Sequence, residues 1–383
     1  MARNLIKVYN DDASTYLGVL EGVSDIRFSK LLDGGLGELT IRLPRKIDDF
    51  GEGDQIDLMN RVEVHHVDDT YNPSGTKVYS GFIDTYTPVV EGTREYVDIL
   101  CLGYPALLDG VLYRNSTDIT IVHNSVDVDA IFKDIFDKYT AIHTKSPVDY
   151  DGTSVETGGN NISLSFNSLT CMEALGRLVG MAGSSWHWYV GADNVAKFFS
   201  KPTTATHTFV YGRDILNQFE YTKSVRHLVN RVLFWNGQYN NDTNPISRYF
   251  YDDTNVGSYW ERVTKVVDSR ITSATYARNL SEPIIDSLQN ANHQISFVVT
   301  GNGNIDHTAI EPGDTCQILN VADSSVFSNN MLITQVDYSL DSARIITEDL
   351  TAYTSRGLTG IRRELNKRTY DNGQPNYTST DVS

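Results

Sequence analysis

The sequence predicts a mainly β protein carrying an α+β insert, and three observations predict it. Apolar and polar residues alternate through the first hundred positions, helical spacing takes over after about residue 106, and alternation returns near Phe219–Trp235 and after Ile295. The two alternating regions also resemble each other in sequence.

Ile26 and Phe28, then Leu39, Ile41 and Leu43, alternate with polar neighbours across an Asp33-Gly34-Gly35 turn. Ile56, Leu58, Val62, Val64, Phe82 and Tyr86 continue the pattern, which ends on Val97, Ile99 and Cys101 before Gly103-Tyr104-Pro105. Val128, Ile131, Phe132, Ile135, Phe136 and Tyr139 then fall on one face of a helix. The residues from Asp149 to Asn161 read as a polar loop. Thr170 and Glu173 form a capping box for a second helix bearing Met172, Leu175, Leu178 and Val179. Trp186–Val190, the turn Gly191-Ala192-Asp193-Asn194 and Val195–Phe199 read as a hairpin. A polar, Tyr-rich, hairpin-like stretch follows over 238–270, then a helix from about Thr272, restarted at Pro283, and a last β run through Leu350.

Two β regions align in order. Ile26, Phe28, Lys30, Leu39 and Ile41 match Phe219, Tyr221, Lys223, Val232 and Phe234 without a gap. Gly53-Asp54 matches Gly313-Asp314, where Gly followed by Asp suits a tight turn entering a strand. Phe82-Ile83 matches Leu332-Ile333, with Arg94 on Arg344 and Leu100 on Leu350. Repeats of this kind decide the fold. The division is therefore a first β domain over 1–105, a mixed α+β domain over 106–211 plus 238–292, a second β domain over 212–237 plus 293–355, and a polar basic extension over 356–383.

The 49 acidic residues against 32 basic give −17. Nucleic-acid binding rests on cationic contacts to phosphate, so this chain is a poor candidate for gripping DNA. The acidity first of all keeps a protein soluble; it also suits a surface that DNA passes without sticking, because like charges repel. Residues 354–383 run the other way, with Arg356, Arg362, Arg363, Lys367 and Arg368 against Glu364, Asp371 and Asp381. This segment is expected to dock on an acidic neighbour. No apolar run reaches the ~18–20 residues of a membrane span, and the N-terminus lacks a signal peptide, so folding in a cytoplasm is expected. Cys101, Cys171 and Cys316 lie too far apart for a visible disulfide framework.

No catalytic constellation emerges, and neither a metal nor a cofactor is expected. His65 and His66 are adjacent on a strand and point to opposite faces. Gly183-Ser184-Ser185 lacks the elbow of a hydrolase. Asp149, Asp151 and Glu156 miss calcium-loop spacing, and carboxylate pairs such as Asp68-Asp69 and Asp252-Asp253 are unavoidable among so many acids. Trp186, Trp188, Tyr189, Phe198 and Phe199 fit a core better than a sugar platform, whereas Trp260 with Tyr249 and Tyr251 suits a partner interface.

Several blocks in order carry a family resemblance. They are Gly37-Glu38-Leu39-Thr40-Ile41, Gly53-Asp54 and Tyr79-Ser80-Gly81-Phe82-Ile83; the Glu173-Ala174-Leu175 helix running into the Trp186–Phe199 hairpin; and Tyr276-Ala277-Arg278-Asn279-Leu280 with Pro283, leading to Glu311-Pro312-Gly313-Asp314. With these, the chain resembles the baseplate hub or tail-tip proteins of tailed bacteriophages over about residues 20–355. The resemblance implies two similar β-barrel domains plus a mixed α/β domain. It also implies a homotrimer whose six barrels adapt a six-fold tail tube to a three-fold tip. Implied partners are a distal tail or tube protein, a tape-measure protein and a tail fibre or spike, with transient passage of DNA and no membrane insertion. The implied location is the virion tail, assembled in the host cytoplasm. Longer relatives continue into lysozyme-like, peptidase or fibre modules; as this sequence ends at Ser383, such activity is expected from another protein. The weaker alternatives are a carbohydrate-binding adsorption protein, a cell-wall hydrolase and a distal tail ring.

Overall fold

The structure, a computed structural model, describes residues 3–23, 25–44, 55–68, 72–115, 118–158, 161–182, 185–215, 219–226, 228–235, 248–251, 257–267, 285, 288, 292–300, 305–321, 330–339 and 342–348. The chain divides into two compact units. One holds Met1–Leu175, Trp186–Glu220 and Ile295–Thr347; the other holds Gly176–Ser185, Tyr221–Gln294 and Glu348–Ser383.

The first unit begins with β1 (Arg3–Tyr9), β2 (Tyr16–Val19), β3 (Asp25–Leu31), β4 (Gly35–Leu43), β5 (Arg61–Asp68), β6 (Asn72–Glu91) and β7 (Arg94–Gly103). The alternation read from the sequence is the alternation of burial: Ile26, Phe28, Leu39, Ile41, Leu43, Val97, Ile99 and Cys101 all face the core. β3 and β4 form the expected hairpin, with Asp33 at φ +55° and Gly35 at φ +89° turning the chain. A side chain at Gly35 would meet Pro105 Cγ at 2.8 Å and Val190 O at 2.9 Å, so glycine is required by space as well as by backbone angle. The long β6 pairs with β5 as far as Phe82, then with β7 from Gly81 to Glu91.

The mixed part of the chain holds β8 (Thr120–Asp127), α1 (Val128–Ile142), β9 (Asp149–Val155), β10 (Asn161–Asn167), α2 (Cys171–Ala182), β11 (Trp186–Val190), β12 (Val195–Ser200) and β13 (His207–Val210), all in the first unit except α2 from Gly176 onward. α1 buries the six apolar residues expected of it. The capping box forms reciprocally: Glu173 N donates to Thr170 Oγ1 and Thr170 N to Glu173 Oε2, each at 3.1 Å. The 149–161 loop needs correction, because its first half is strand β9, paired in parallel with β12. Its Asp-Tyr-Asp-Gly-Thr-Ser sequence shows no alternation, and the neighbouring strand supplies what local pattern does not. Trp186, Trp188, Tyr189 and Phe198 are core; Phe198 stacks between Phe132 at 4.9 Å and Trp186 at 4.8 Å.

The chain then enters β14 (Phe219–Ser224), followed in the second unit by β15 (Arg231–Trp235), β16 (Arg248–Tyr251) and β17 (Val263–Val267). β15 lies between the other two, antiparallel to β16 and parallel to β17. The described strands of the 238–270 stretch therefore flank β15 instead of pairing as a hairpin. The helix expected from Thr272 falls mostly outside the described residues.

β18 (Asn292–Thr300), β19 (Thr315–Leu319), β20 (Met331–Ser339) and β21 (Ser342–Glu348) complete the chain. In the first unit the strand order runs β18-β21-β20-β3-β4-β7-β6-β5-β1-β2, with β19 on β20 and β13 on β19. One apolar core joins both halves, from Ile6 and Val8 to Ala343 and Ile345.

This order contains the repeat. β4-β7-β6-β5 in the first half recurs as β18-β21-β20-β19 in the second. One part of the sequence alignment needs correction: the counterpart of β4 is β18, whose Ile295, Phe297 and Val299 are buried, and not β15 with Val232 and Phe234. Alternation specifies which face of a strand is apolar, not which strand it joins.

Candidate functional site

The repeat is most exact at one turn. In the first copy Asn60 N donates to Asp57 O at 3.2 Å, Met59 N to Ile83 O at 2.8 Å, and Ile83 N to Asn60 O at 2.9 Å. In the second copy Asp314 N donates to Glu311 O at 3.2 Å, Gly313 N to Ile333 O at 2.9 Å, and Ile333 N to Asp314 O at 2.8 Å. Met59 and Gly313 both have positive φ, +66° and +96°. The turns agree bond for bond, so Gly313-Asp314 corresponds to Met59-Asn60. Gly53 and Asp54, the partners suggested by sequence, lie outside the described residues.

The second of these turns sits where three parts of the first unit meet. Lys30 on β3, only 1% exposed, places Nζ 2.6 Å from Glu311 Oε1. Tyr189 on β11 donates its hydroxyl to Glu311 Oε2, and burial, with this carboxylate next, holds the phenol protonated far above its ordinary range. Asp314 accepts from Glu311 N at 3.1 Å and lies 2.9 Å from His207 Nε2 on β13. Phe199 of β12 fills the space beside Gly313: an added Cβ would stand 2.3 Å from its Cζ. A buried ammonium costs several kcal/mol unless paired and hydrogen bonded, and this turn supplies both conditions.

A second contact lies alongside. Asp33, in the β3–β4 turn, accepts from Trp188 N at 3.0 Å, lies 3.2 Å from His187 Nδ1, and donates its own N–H to Trp188 O at 2.9 Å. Next to it β20 pairs antiparallel with β3, from Gln335 on Leu31 to Ser339 on Arg27. Tyr338 stacks on Phe28 at 4.5 Å and on His307 at 5.3 Å, with its hydroxyl 3.1 Å from His66 Nδ1. The two copies are thus welded edge to edge and the mixed part is pinned to the weld. Sequence reading singled out Gly313 and Asp314 but missed Lys30, Glu311, Tyr189 and Asp33 as a group. Only Lys30, a charge on the apolar phase of β3, carried a local signal.

The other expected residues are placed as follows. Arg356, Arg362, Arg363, Lys367 and Arg368 lie outside the described residues. His65 and His66 part company on β5, His65 Nε2 going to Glu63 at 2.9 Å and His66 Nδ1 to Asn4 Oδ1 at 3.2 Å. Among the described residues no group of three or more His, Cys, Asp or Glu is placed to hold a metal ion. Trp260 in the second unit is 80% exposed and held at φ +58°. Buried Asn230 fixes it, donating to Trp260 O at 2.6 Å and accepting from Arg262 N at 2.7 Å. A bulky residue at positive φ is strained, so this loop is kept in shape by its buried amide. No helix among the described residues is long and apolar enough to cross a membrane.

This mainly β chain, with its repeated strand set and α+β part, has the fold of phage tail proteins of known structure. The 43 kDa tail protein of prophage MuSo2 from Shewanella oneidensis superimposes with a TM-score of 0.65 at 13% identity, over 91% of this chain and 98% of that one. The tail protein from Neisseria meningitidis MC58 gives 0.59 at 11% identity, over 91% and 98%. Prophage tail protein gp18 from Listeria monocytogenes gives 0.58 at 10% identity, over 94% and 98%. No family profile and no curated protein sequence matches the chain.

Proposed function

We propose that this chain is a structural hub of a phage-type tail, a homotrimer whose two β copies per subunit present six like surfaces. The observation that carries the proposal is the recurrence of one turn and one strand order within a single chain. Three subunits then offer near-sixfold order on one side while keeping threefold order on the other. Each strand set closes as a barrel in this reading, and the rings together line a passage for DNA and a tape-measure protein. The charge of −17 supports such a passage, since like charges prevent DNA from sticking. A distal tail or tube protein binds the sixfold side and a fibre or spike the threefold side, all within the virion tail. The basic 356–383 segment docks on an acidic neighbour, and the chain's role is to hold parts together, not to catalyse.

Native mass spectrometry of the purified full chain tests this. The expected species is three times the 42.8 kDa chain, with an obligate interface of roughly 2,000 Å² or more. A monomer or dimer at micromolar concentration would overturn the proposal.

A further inference from the structure

Inside one chain, the second copy joins the first by pairing β20 with β3. The repeat carries counterparts of both strands. Ile83 and Ile333 make the same two bonds to the same turn, so β6 after Ile83 corresponds to β20 after Ile333. The bulge that follows is shared. β6 shifts register between Ile83 and Thr85, and in β20 the consecutive carbonyls of Ile333 and Thr334 are taken by Gly313 N and Leu32 N. β14 corresponds to β3 by sequence, Phe219, Tyr221 and Lys223 standing for Ile26, Phe28 and Lys30.

Burial then separates the two pairs. Val336 and Tyr338 on β20, and Phe28 and Lys30 on β3, are buried in the weld. Their counterparts are not: Tyr86 is half-buried, Pro88 exposed, Tyr221 37% exposed and Lys223 exposed. Among the described residues, β6 pairs with β5 as far as Phe82 and with β7 on to Glu91, so from Asp84 to Val90 β7 is the one described strand paired with it. A strand edge of this kind is a template for another chain.

We infer that β6 of one subunit pairs antiparallel with β14 of the next, repeating between subunits the β20–β3 weld found within each. The inference rests on the trimeric reading above and names its junction. Transferring the observed register places Thr85 opposite Ser224, Tyr86 opposite Lys223, Thr87 opposite Thr222, Pro88 opposite Tyr221 and Val89 opposite Glu220. The chemistry suits those neighbours. Tyr221 lies against Pro88 where Phe28 stacks on Tyr338, and Lys223 meets the Tyr86 ring, a cation–π pair. Pro88 brings no N–H, so the junction between subunits has one donor fewer than the internal one and is the weaker of the two. The contact is head to tail, the kind that builds a closed ring when the rotation between subunits closes.

Cysteine cross-linking of the full chain tests the register. Thr87→Cys with Thr222→Cys, oxidised with copper phenanthroline, is expected to give disulfide-linked dimer and trimer, and either single variant none; the native cysteines are all buried. Hydrogen exchange on the unmodified chain is the second measurement. Amides of 84–90 and 219–224 are expected to slow at least tenfold when dilute chain is concentrated into the assembly. A wild-type trimer that neither cross-links nor protects these strands overturns the inference and leaves the trimer standing. A wild-type monomer at micromolar concentration overturns both.

Discussion

Met59-Asn60 and Gly313-Asp314 are the same turn put to different use. In the first copy the turn is open among the described residues: Leu58 is 54% exposed and Met59 45%, so a side chain at positive φ is tolerated because no described residue crowds it. In the second copy it is covered by β11, β12 and β13, and Phe199 occupies the place of a side chain at Gly313. The lesson is that backbone geometry is what the repeat conserves, and that residue identity follows from what later packs on it.

The largest expected effect comes from breaking the covered turn's charge pair. Glu311→Ala strands the Lys30 ammonium in the core and is expected to destabilise the first unit by about 3–5 kcal/mol. Chemical denaturation followed by far-UV dichroism measures it. Lys30→Met together with Glu311→Leu removes both charges and is expected to recover most of that loss. If Glu311→Ala unfolds at the wild-type midpoint, the weld is not held by this pair.

Next comes the turn residue itself. Gly313→Ala adds a methyl inside the Phe199 ring at φ +96° and is expected to cost about 2–4 kcal/mol. Met59→Gly at the open turn is expected to stay within about 1 kcal/mol of wild type, since relief of positive φ offsets lost chain stiffness. Thermal melts of the two variants decide whether covering, and not the turn, sets the requirement.

Acid sharpens the contrast between the strands that follow each turn. On β5, the hydrogen bond from His65 lowers the Glu63 carboxyl to about 2 against opposing burial, with Lys77 helping. β19 carries Gln317, which bonds Thr208, and has no such group. A carboxyl depressed in the folded state contributes stability above its unfolded value near 4.3, and loses it as pH falls towards 2. The expected loss across that window is up to about 3 kcal/mol, and Glu63→Gln is expected to flatten this part of the stability–pH curve. An unchanged curve in that variant would show that other carboxylates dominate.

The smallest difference lies in the last turn residue. Asp314→Ala loses the His207 contact and the Glu311 N–H bond, about 1–3 kcal/mol; Asn60→Ala, which loses the bond to Gln55 O at 3.3 Å, is expected to cost about 1 kcal/mol. Equal midpoints for the two variants would erase the distinction between covered and open turns.

Much of this was legible beforehand for reasons of pattern. The α1 face, the Thr170–Glu173 box and the Trp186–Phe199 hairpin depend on contacts within a few residues, so local spacing reports them. The Lys30–Glu311–Tyr189 group was illegible because its members come from separate parts of the chain. The match of Gly313 with Met59 was hidden for a related reason: without crowding, positive φ does not demand glycine, and no shared letter marks the turn.

The sequence by itself determined which faces are apolar, where the period changes from strand to helix, and that one β pattern is used twice. Tertiary structure alone decided that β18 and not β15 sits beside β21, that β9 is a strand, and that the second copy is welded to the first through a buried lysine paired with a half-buried glutamate. The physical reason is that periodicity encodes a face, whereas pairing, register and charge burial are settled by whichever neighbour the folded chain brings alongside.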